Sequence, residues 1–194
     1  MKKQLSSGEE LIGNRTVLFI HGAGDGGYEG DVDLVVSLRK ALGTGYKVHF
    51  PQMLTDEEPY FGAGWPKQIG REISSIKGEI ILAGHSLGAS MLLKYLSENK
   101  TKENIAAVFL IAAPFWSGNE DWMKPLKLQK DFADKLSKDI PFFFYQCKDD
   151  DVVPLEQFKL YKQKVPWAVF REMRRGGHQL DNDLTPVAND IKLL

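Results

Sequence analysis

The sequence predicts a three-layer α/β/α sandwich around a mostly parallel sheet of about six strands. Three observations carry this expectation. Short apolar runs alternate with amphipathic stretches along the whole chain, with no internal repeat and no low-complexity linker, which is the pattern of βαβ units. Three of those runs, Val17-Leu18-Phe19-Ile20, Ile80-Ile81-Leu82-Ala83 and Phe142-Phe143-Phe144-Tyr145, are continuously apolar, as strands covered by helices on both faces must be. The chain has 194 residues, 43% of them hydrophobic, enough for a single domain (1–194) whose core buries roughly 70% of the unfolded surface.

Taken in order, the strands are expected at Thr16–Ile20, Tyr46–Phe50, Glu79–Ala83, Ala106–Ile111, Pro141–Cys147 and Trp167–Glu172. The three continuously apolar ones belong in the middle of the sheet. Tyr46-Lys47-Val48-His49-Phe50 alternates instead, which suits an edge. Between the first two strands Leu34, Val35, Leu38, Ala41 and Leu42 recur at helical spacing, and Gly43 supplies a stop. A second helix is expected just after Ser86, running through Met91, Leu92, Tyr95 and Leu96. A third is expected near Lys124–Lys138, with Leu128, Phe132 and Leu136 on one face, and the last two over Leu155–Gln163 and Thr185–Leu194.

A formal net charge of -1 gives no global pull toward nucleic acid or an anionic membrane. Arg171, Arg174 and Arg175 form one local basic cluster, read as a solvated strand end. The single cysteine, Cys147, cannot form an intramolecular disulfide and is expected to pack in the core. The first ten residues turn polar and acidic before an apolar signal region forms, and the longest apolar run, Ile105 to Phe115, is too short to span a bilayer. A soluble cytoplasmic protein with a small-molecule substrate is therefore expected. The sequence leaves its oligomeric state open.

The stretch with the most chemistry in it is Gly84-His85-Ser86-Leu87-Gly88. This is G-x-S-x-G, directly after a buried strand and directly before a helix. A turn that sharp holds the serine in a strained backbone conformation with its hydroxyl projecting from the sheet edge, while the helix N-terminus adds a positive field and free amides. A serine nucleophile needs a general base near neutral pH. Of the four histidines, His85 lies inside the turn and points away from the neighbouring hydroxyl, His49 lies in the edge strand, and His21 ends the first strand and braces its loop. His178 remains, in Arg174-Arg175-Gly176-Gly177-His178, past the last strand and at the same edge of the sheet as Ser86. The acid is expected after the strand before it, where Asp149, Asp150 and Asp151 stand together. Neighbouring carboxylates alternate in direction and no histidine or further acid flanks them, so no metal site is expected.

These features together, with His21-Gly22 after the first strand, Asp150-Asp151-Val152-Val153-Pro154 and Gly177-His178, resemble the α/β-hydrolase superfamily over nearly the whole chain. Within it, the short length and small insertion look like the YdeN-like and retinoblastoma-binding-protein-type serine hydrolases. The resemblance implies a chain order of Ser86, acid, His178. It also favours Asp150, because in such proteins the acid commonly stands four residues before a proline. Only fifteen residues precede the first clear strand, so the leading hairpin of larger members is expected to be missing.

Gly22, Gly24 and Gly27 also satisfy G-x-G-x-x-G, the dinucleotide fingerprint. That reading wants a helix opened by the third glycine and an acid at the end of the next strand. Here Tyr28-Glu29-Gly30 is expected to delay the helix, and the second strand ends His49-Phe50-Pro51. No cofactor is expected. An oxyanion hole explains the glycines better, with Leu87 after the nucleophile and Ala23 after the first strand at the matching positions.

A small flap is expected within about 112–140, too short for a lid. Phe115, Trp116 and Trp122 are candidates for an apolar acyl pocket, with Trp65 closing its other side. An open site of this kind suits small to medium acyl esters. The expected function is a serine carboxylesterase working through an acyl-enzyme. Thioester, amide or acyl-transfer chemistry would use the same groups, and a non-catalytic binding protein on the same fold is the rival from another class.

Overall fold

The computed structural model describes residues 15–24, 26–54 and 62–194. Residues 1–14, and with them the expectations of an absent leader and an absent hairpin, lie outside the described residues.

The element order is β1 (Arg15–Ile20), α1 (Gly27–Gly30), α2 (Val32–Leu42), β2 (Tyr46–His49), α3 (Trp65–Ser75), β3 (Glu79–His85), α4 (Leu87–Glu98), β4 (Asn104–Ile111), α5 (Phe132–Lys135), β5 (Phe142–Cys147), α6 (Leu155–Lys164), β6 (Val169–Met173) and α7 (Thr185–Lys192). Short 3₁₀ turns occupy Asp121–Leu126 and Leu180–Asn182. The strands form one six-stranded sheet in the order β2-β1-β3-β4-β5-β6. Every pairing is parallel.

Parallel neighbours need a crossover, and the helices that provide it cover both faces of the sheet. Alternate side chains of each strand therefore enter two different cores. Leu18, Ile20, Ile80, Leu82, Val108 and Leu110 pack with α3, α4 and α6 on one side. Val17, Phe19, Ile81, Ala83, Phe109 and Ile111 pack with α2 and α7 on the other. The continuously apolar strands β1, β3 and β5 are interior, and the alternating β2 is an edge, because only a strand buried on both faces needs apolar residues at every position.

Three local expectations need correction. The helix expected near Lys124–Lys138 is instead a 3₁₀ turn containing Pro125, an extended Lys127, and the four-residue α5. Phe132 and Leu136 still reach the core, so the apolar spacing marks burial and not a continuous helix. Residues Trp65–Ser75, which gave no helical expectation, form α3, with Pro66 in the first turn, where its missing N–H costs nothing. A single helical turn does open at Gly27, so the helix is not delayed as expected. The dinucleotide reading still fails at its second requirement, since β2 ends at His49 without an acid.

Among the described residues no helix is long and apolar enough to cross a membrane. Arg171 is engaged by a carboxylate, with Nε and Nη2 each 3.0 Å from Asp190, which also accepts from the Tyr145 hydroxyl. Cys147 is buried and free, and its thiol faces the Arg175 carbonyl. Burial, with the charges of Asp149, Asp150 and Asp181, pushes that thiol up to about 11.

Candidate active site

Ser86 occupies the single residue between β3 and α4. Its φ of 50° and ψ of -122° put a non-glycine residue in the left-handed half of backbone space, at a cost of about 1–3 kcal/mol. The surrounding packing holds it there. The Ser86 amide donates to the Ile111 carbonyl at 2.8 Å, and its own carbonyl accepts from the Ser90 amide at 3.2 Å. A side chain on Gly84 would press on Ala89, Gly88 and Leu92, and one on Gly88 would overlap the carbonyl oxygens of Ile20 and His21. Both glycines of the motif are thus fixed by close approach of backbone to backbone.

Leu87 is the first residue of α4, so its amide is one of the donors left without an intrahelical acceptor, at the positive end of the helix. The loop after β1 abuts the same place. A Cβ on Gly22 would lie 3.1 Å from the Ser86 Cβ, and Ala23 follows directly and is exposed. Of the predicted pair, Leu87 follows Ser86 directly, and Ala23 follows the Gly22 that abuts it.

His21 braces this loop. Its Nε2 accepts the Met53 amide at 2.9 Å and its Nδ1 faces the Gly22 carbonyl, a pattern that fits the neutral ring. Burial lowers its proton affinity and outweighs the raising effect of Gly22 and Asp31.

His178 lies past β6. Its Nδ1 is 3.1 and 3.0 Å from the two carboxylate oxygens of Asp150, and its ring lies 4.8 Å from that of His85, the residue before Ser86. Of the three neighbouring aspartates, Asp150 is the one against His178. Asp149 instead accepts the Gly176 and Gly177 amides, which pins the turn leading to His178. After His178 the chain runs through Leu180, Asp181 and Asn182 with φ of 51°, 51° and 54°. Bonds from the Asp181 amide to Gly176 and from the Asn182 amide to Gln179, each 2.8 Å, hold this left-handed turn closed behind the ring.

The Asp150 carboxylate also accepts the Val152 and Val153 amides at 2.9 Å and the Gln146 side chain. Burial pushes this carboxyl up, but the His178 contact and the two amides outweigh it and leave it below the ordinary carboxylate range. A carboxyl whose folded value is depressed contributes stability above its unfolded value and loses it as pH falls toward the folded one. The urea midpoint is accordingly expected to drop on acidification below about pH 4. Asp150→Asn is expected to flatten that dependence, and an unchanged slope in the variant would contradict the assignment.

The predicted pocket residues separate. Trp116 is half-buried, donates from Nε1 to Ser90 Oγ at 3.0 Å, and meets Trp122 edge-on at 5.9 Å. Trp122 is 47% exposed. Phe115 packs edge-on to Tyr161 at 5.1 Å and its amide donates to Gln157, so it anchors the segment to the core. Trp65 does not close the site: it is 1% exposed, its Nε1 donates to the Leu54 carbonyl at 3.0 Å, and its ring packs against His21 at 5.1 Å. Its place at the start of α3 turns it inward, where burying a large ring stabilises most.

One residue of the site left no mark in the sequence reading. Asp31, between α1 and α2, is 1% exposed and pairs with His85 at 2.9 Å. Burial pushes its carboxyl up, while the His85 bond and charge, with the Gly22 amide and Gln179, leave it lowered. Two of its partners, His85 and Gln179, lie 54 and 148 residues away in the chain, beyond the reach of local pattern.

The serine hydrolase family profile matches residues 38–185. No curated protein matches the chain. Among solved structures, the chain is similar to a lipase-esterase related protein from Clostridium acetobutylicum, at 17% identity and a TM-score of 0.65 over 94% of this chain and 95% of that one. It is also similar to Est1E from Butyrivibrio proteoclasticus, at 15% identity and a TM-score of 0.69 over 93% and 87% of the two chains. The ydeN gene product of B. subtilis aligns at 18% identity with a TM-score of 0.68 over 93% and 97%. The identities are low enough that these likenesses speak for the α/β-hydrolase fold alone, whereas the profile covers most of the chain. The chain belongs to the serine hydrolase family.

Proposed function

We propose that the protein is a carboxylesterase for small to medium acyl esters, with Ser86 as nucleophile, His178 as general base and Asp150 as the acid that orients it. The observation that carries this reading is the convergence at one rim of the sheet. His85, the residue before the strained Ser86, lies 3.0 Å through Nε2 from the backbone carbonyl of His178, whose ring is held by Asp150, and α4 begins directly after Ser86.

In the proposed reaction the Ser86 oxygen attacks the ester carbonyl while His178 takes its proton. The charge that develops on the carbonyl oxygen is met by the amides of Leu87 and Ala23. Collapse of the tetrahedral species breaks the ester bond, and the proton on His178 passes to the departing alcohol. Water then attacks the acyl-enzyme by the same route and regenerates Ser86. Asp150 fixes the ring with Nδ1–H inward, leaving Nε2 to serve the hydroxyl, and stabilises the imidazolium in both steps.

The segment between β4 and β5 carries only the 3₁₀ turn and α5, with Trp116 and Trp122 as its large aromatic surfaces. That supports a wall against the acyl chain and not a closed lid. The test is turnover of a series of p-nitrophenyl esters of rising acyl length. Rates that peak at short to medium chains support the proposal. Rates that climb toward long chains overturn its substrate class, and no turnover of any ester by the folded protein overturns the esterase reading.

The choice among the aspartates has its own test. Asp150→Asn is expected to reduce kcat by about 10⁴-fold, because an amide there stabilises the wrong tautomer. Asp149→Asn, which touches only backbone amides, is expected to cost far less. Equal losses in the two variants would contradict the assignment.

A further inference from the structure

Outside the three proposed catalytic groups, the site contains a second buried carboxylate and imidazole in contact. Both side chains are about as inaccessible as any in the protein, Asp31 at 1% and His85 at 1% exposure. His85 Nδ1 lies 2.9 Å from each oxygen of Asp31. On its other side His85 Nε2 lies 3.0 Å from the backbone carbonyl of His178. The ring thus bridges the Asp31 carboxylate on one side and the chain at His178 on the other.

Asp31 does more than balance that ring. One of its oxygens accepts the Gly22 amide at 2.7 Å, and the other faces the Gln179 side-chain amide at 3.3 Å. Gly22 immediately precedes the proposed oxyanion donor Ala23. His85 immediately precedes the proposed nucleophile, and His178 and Gln179 are the proposed base and its neighbour. One carboxylate–imidazole pair therefore touches all three segments that the reaction needs in register.

We propose that Asp31 and His85 are positioning residues for the esterase, a buried carboxylate–imidazole pair that sets the oxyanion loop, the nucleophile turn and the His178 loop at fixed distances from one another. The inference rests on the esterase reading for its catalytic consequence.

Buried ion pairs add little net stability compared with apolar packing of the same volume, whereas removal of one partner leaves the other stranded. What such a pair supplies is geometry, since every acceptor of Asp31 is used and each donor fixes a direction. The titratable groups that face His85 are Asp31 from the start of α2, His178 from the loop after β6 and His21 from the end of β1, and Asp150 lies behind His178.

The experiment has two arms. In the first, amide hydrogen exchange is compared between the wild type and His85→Gln. Exchange at Gly22 and in the loop after β6 is expected to be faster in the variant, because the pair ties both segments to the nucleophile turn. Exchange unchanged in both segments would overturn the proposal.

In the second arm, Asp31→Asn is compared with wild type on p-nitrophenyl acetate. The amide has nearly the same shape but must turn an NH₂ toward either Gly22 or Gln179, both of which donate. The expected result is a roughly 100-fold loss of kcat, the size of a misplacement of about 1 Å, with KM within about twofold. A folded variant with unchanged kcat, or one whose loss falls on KM alone, would overturn the positioning role. If Asp31→Asn does not fold, His85→Gln is measured on the same ester with the same expected outcome. Failure of the esterase reading is distinguishable, because it removes wild-type turnover while leaving the exchange difference as expected.

Discussion

Alanine in place of Ser86 is expected to lower kcat for any ester the protein turns over by about a millionfold, close to complete loss. The size follows from what the residue does in the proposed reaction. Without the hydroxyl there is no acyl-enzyme, and His178 and Asp150 have no proton to manage. What remains is the field of the α4 N-terminus and the amides beside it, which together give only a residual rate over water. Two corollaries sharpen the test. His178→Ala should cost nearly as much, and the double variant should be no worse than either single one, since the groups act as a unit. Fully additive losses would mean that Ser86 and His178 serve separate processes. The substitution should leave the fold intact, because Ser86 holds its strained conformation through backbone bonds to Ile111 and Ser90 and not through its hydroxyl.

The second large effect is on folding. Gly88→Ala is expected to destabilise the protein by about 3 kcal/mol or more, read as a fall in the urea midpoint or as loss of soluble protein. The added Cβ would overlap the carbonyl oxygens of Ile20 and His21. Both are backbone atoms at the end of a central strand, and neither can move without opening the β1 to β3 ladder or the oxyanion loop. Gly30 is the control. Its Cβ would meet nothing within 4 Å and its φ is not positive, so Gly30→Ala at the end of α1 is expected to be neutral or to stabilise by up to about 1 kcal/mol. Similar losses at both positions would show that close backbone approach is not what Gly88 provides.

The strands were legible because their signal is local. A strand buried on both faces must be apolar at every position, and the runs at 17–20, 80–83 and 142–145 have that property within four residues. The Ser86 turn was legible for a similar reason, since strand, glycine, serine and helix are contiguous. Asp150 and His178 could be placed because the fold delivers the ends of β5 and β6 to the same rim as the end of β3. Asp31 could not be found this way. It reads as one more aspartate before an amphipathic helix, and its significance comes from His85 and Gln179, which reach it only through the folded sheet.

Trp65 and α3 were missed together. Gly62-Ala63-Gly64-Trp65-Pro66 has the composition of a loop, yet Pro66 falls in the first turn of a helix, and Ile69 and Ile73 continue its buried face. Proline at that position was the signal available. The segment after Asp121 shows the converse. Phe132 and Leu136 have helical spacing and are buried, but Pro125 and the extended Lys127 break the chain into a 3₁₀ turn and a four-residue helix. Apolar periodicity reports which side chains are covered, and the backbone decides separately how they are carried.

Reaction of the folded protein with a fluorophosphonate, followed by intact mass and peptide mapping, tests most directly whether the hydroxyl at the β3 to α4 turn is an activated nucleophile. The account predicts one phosphonyl group per chain, on the peptide that contains Ser86, absent from Ser86→Ala and formed far more slowly in His178→Ala. A folded protein that takes up no label, or takes it up at another residue, would contradict it.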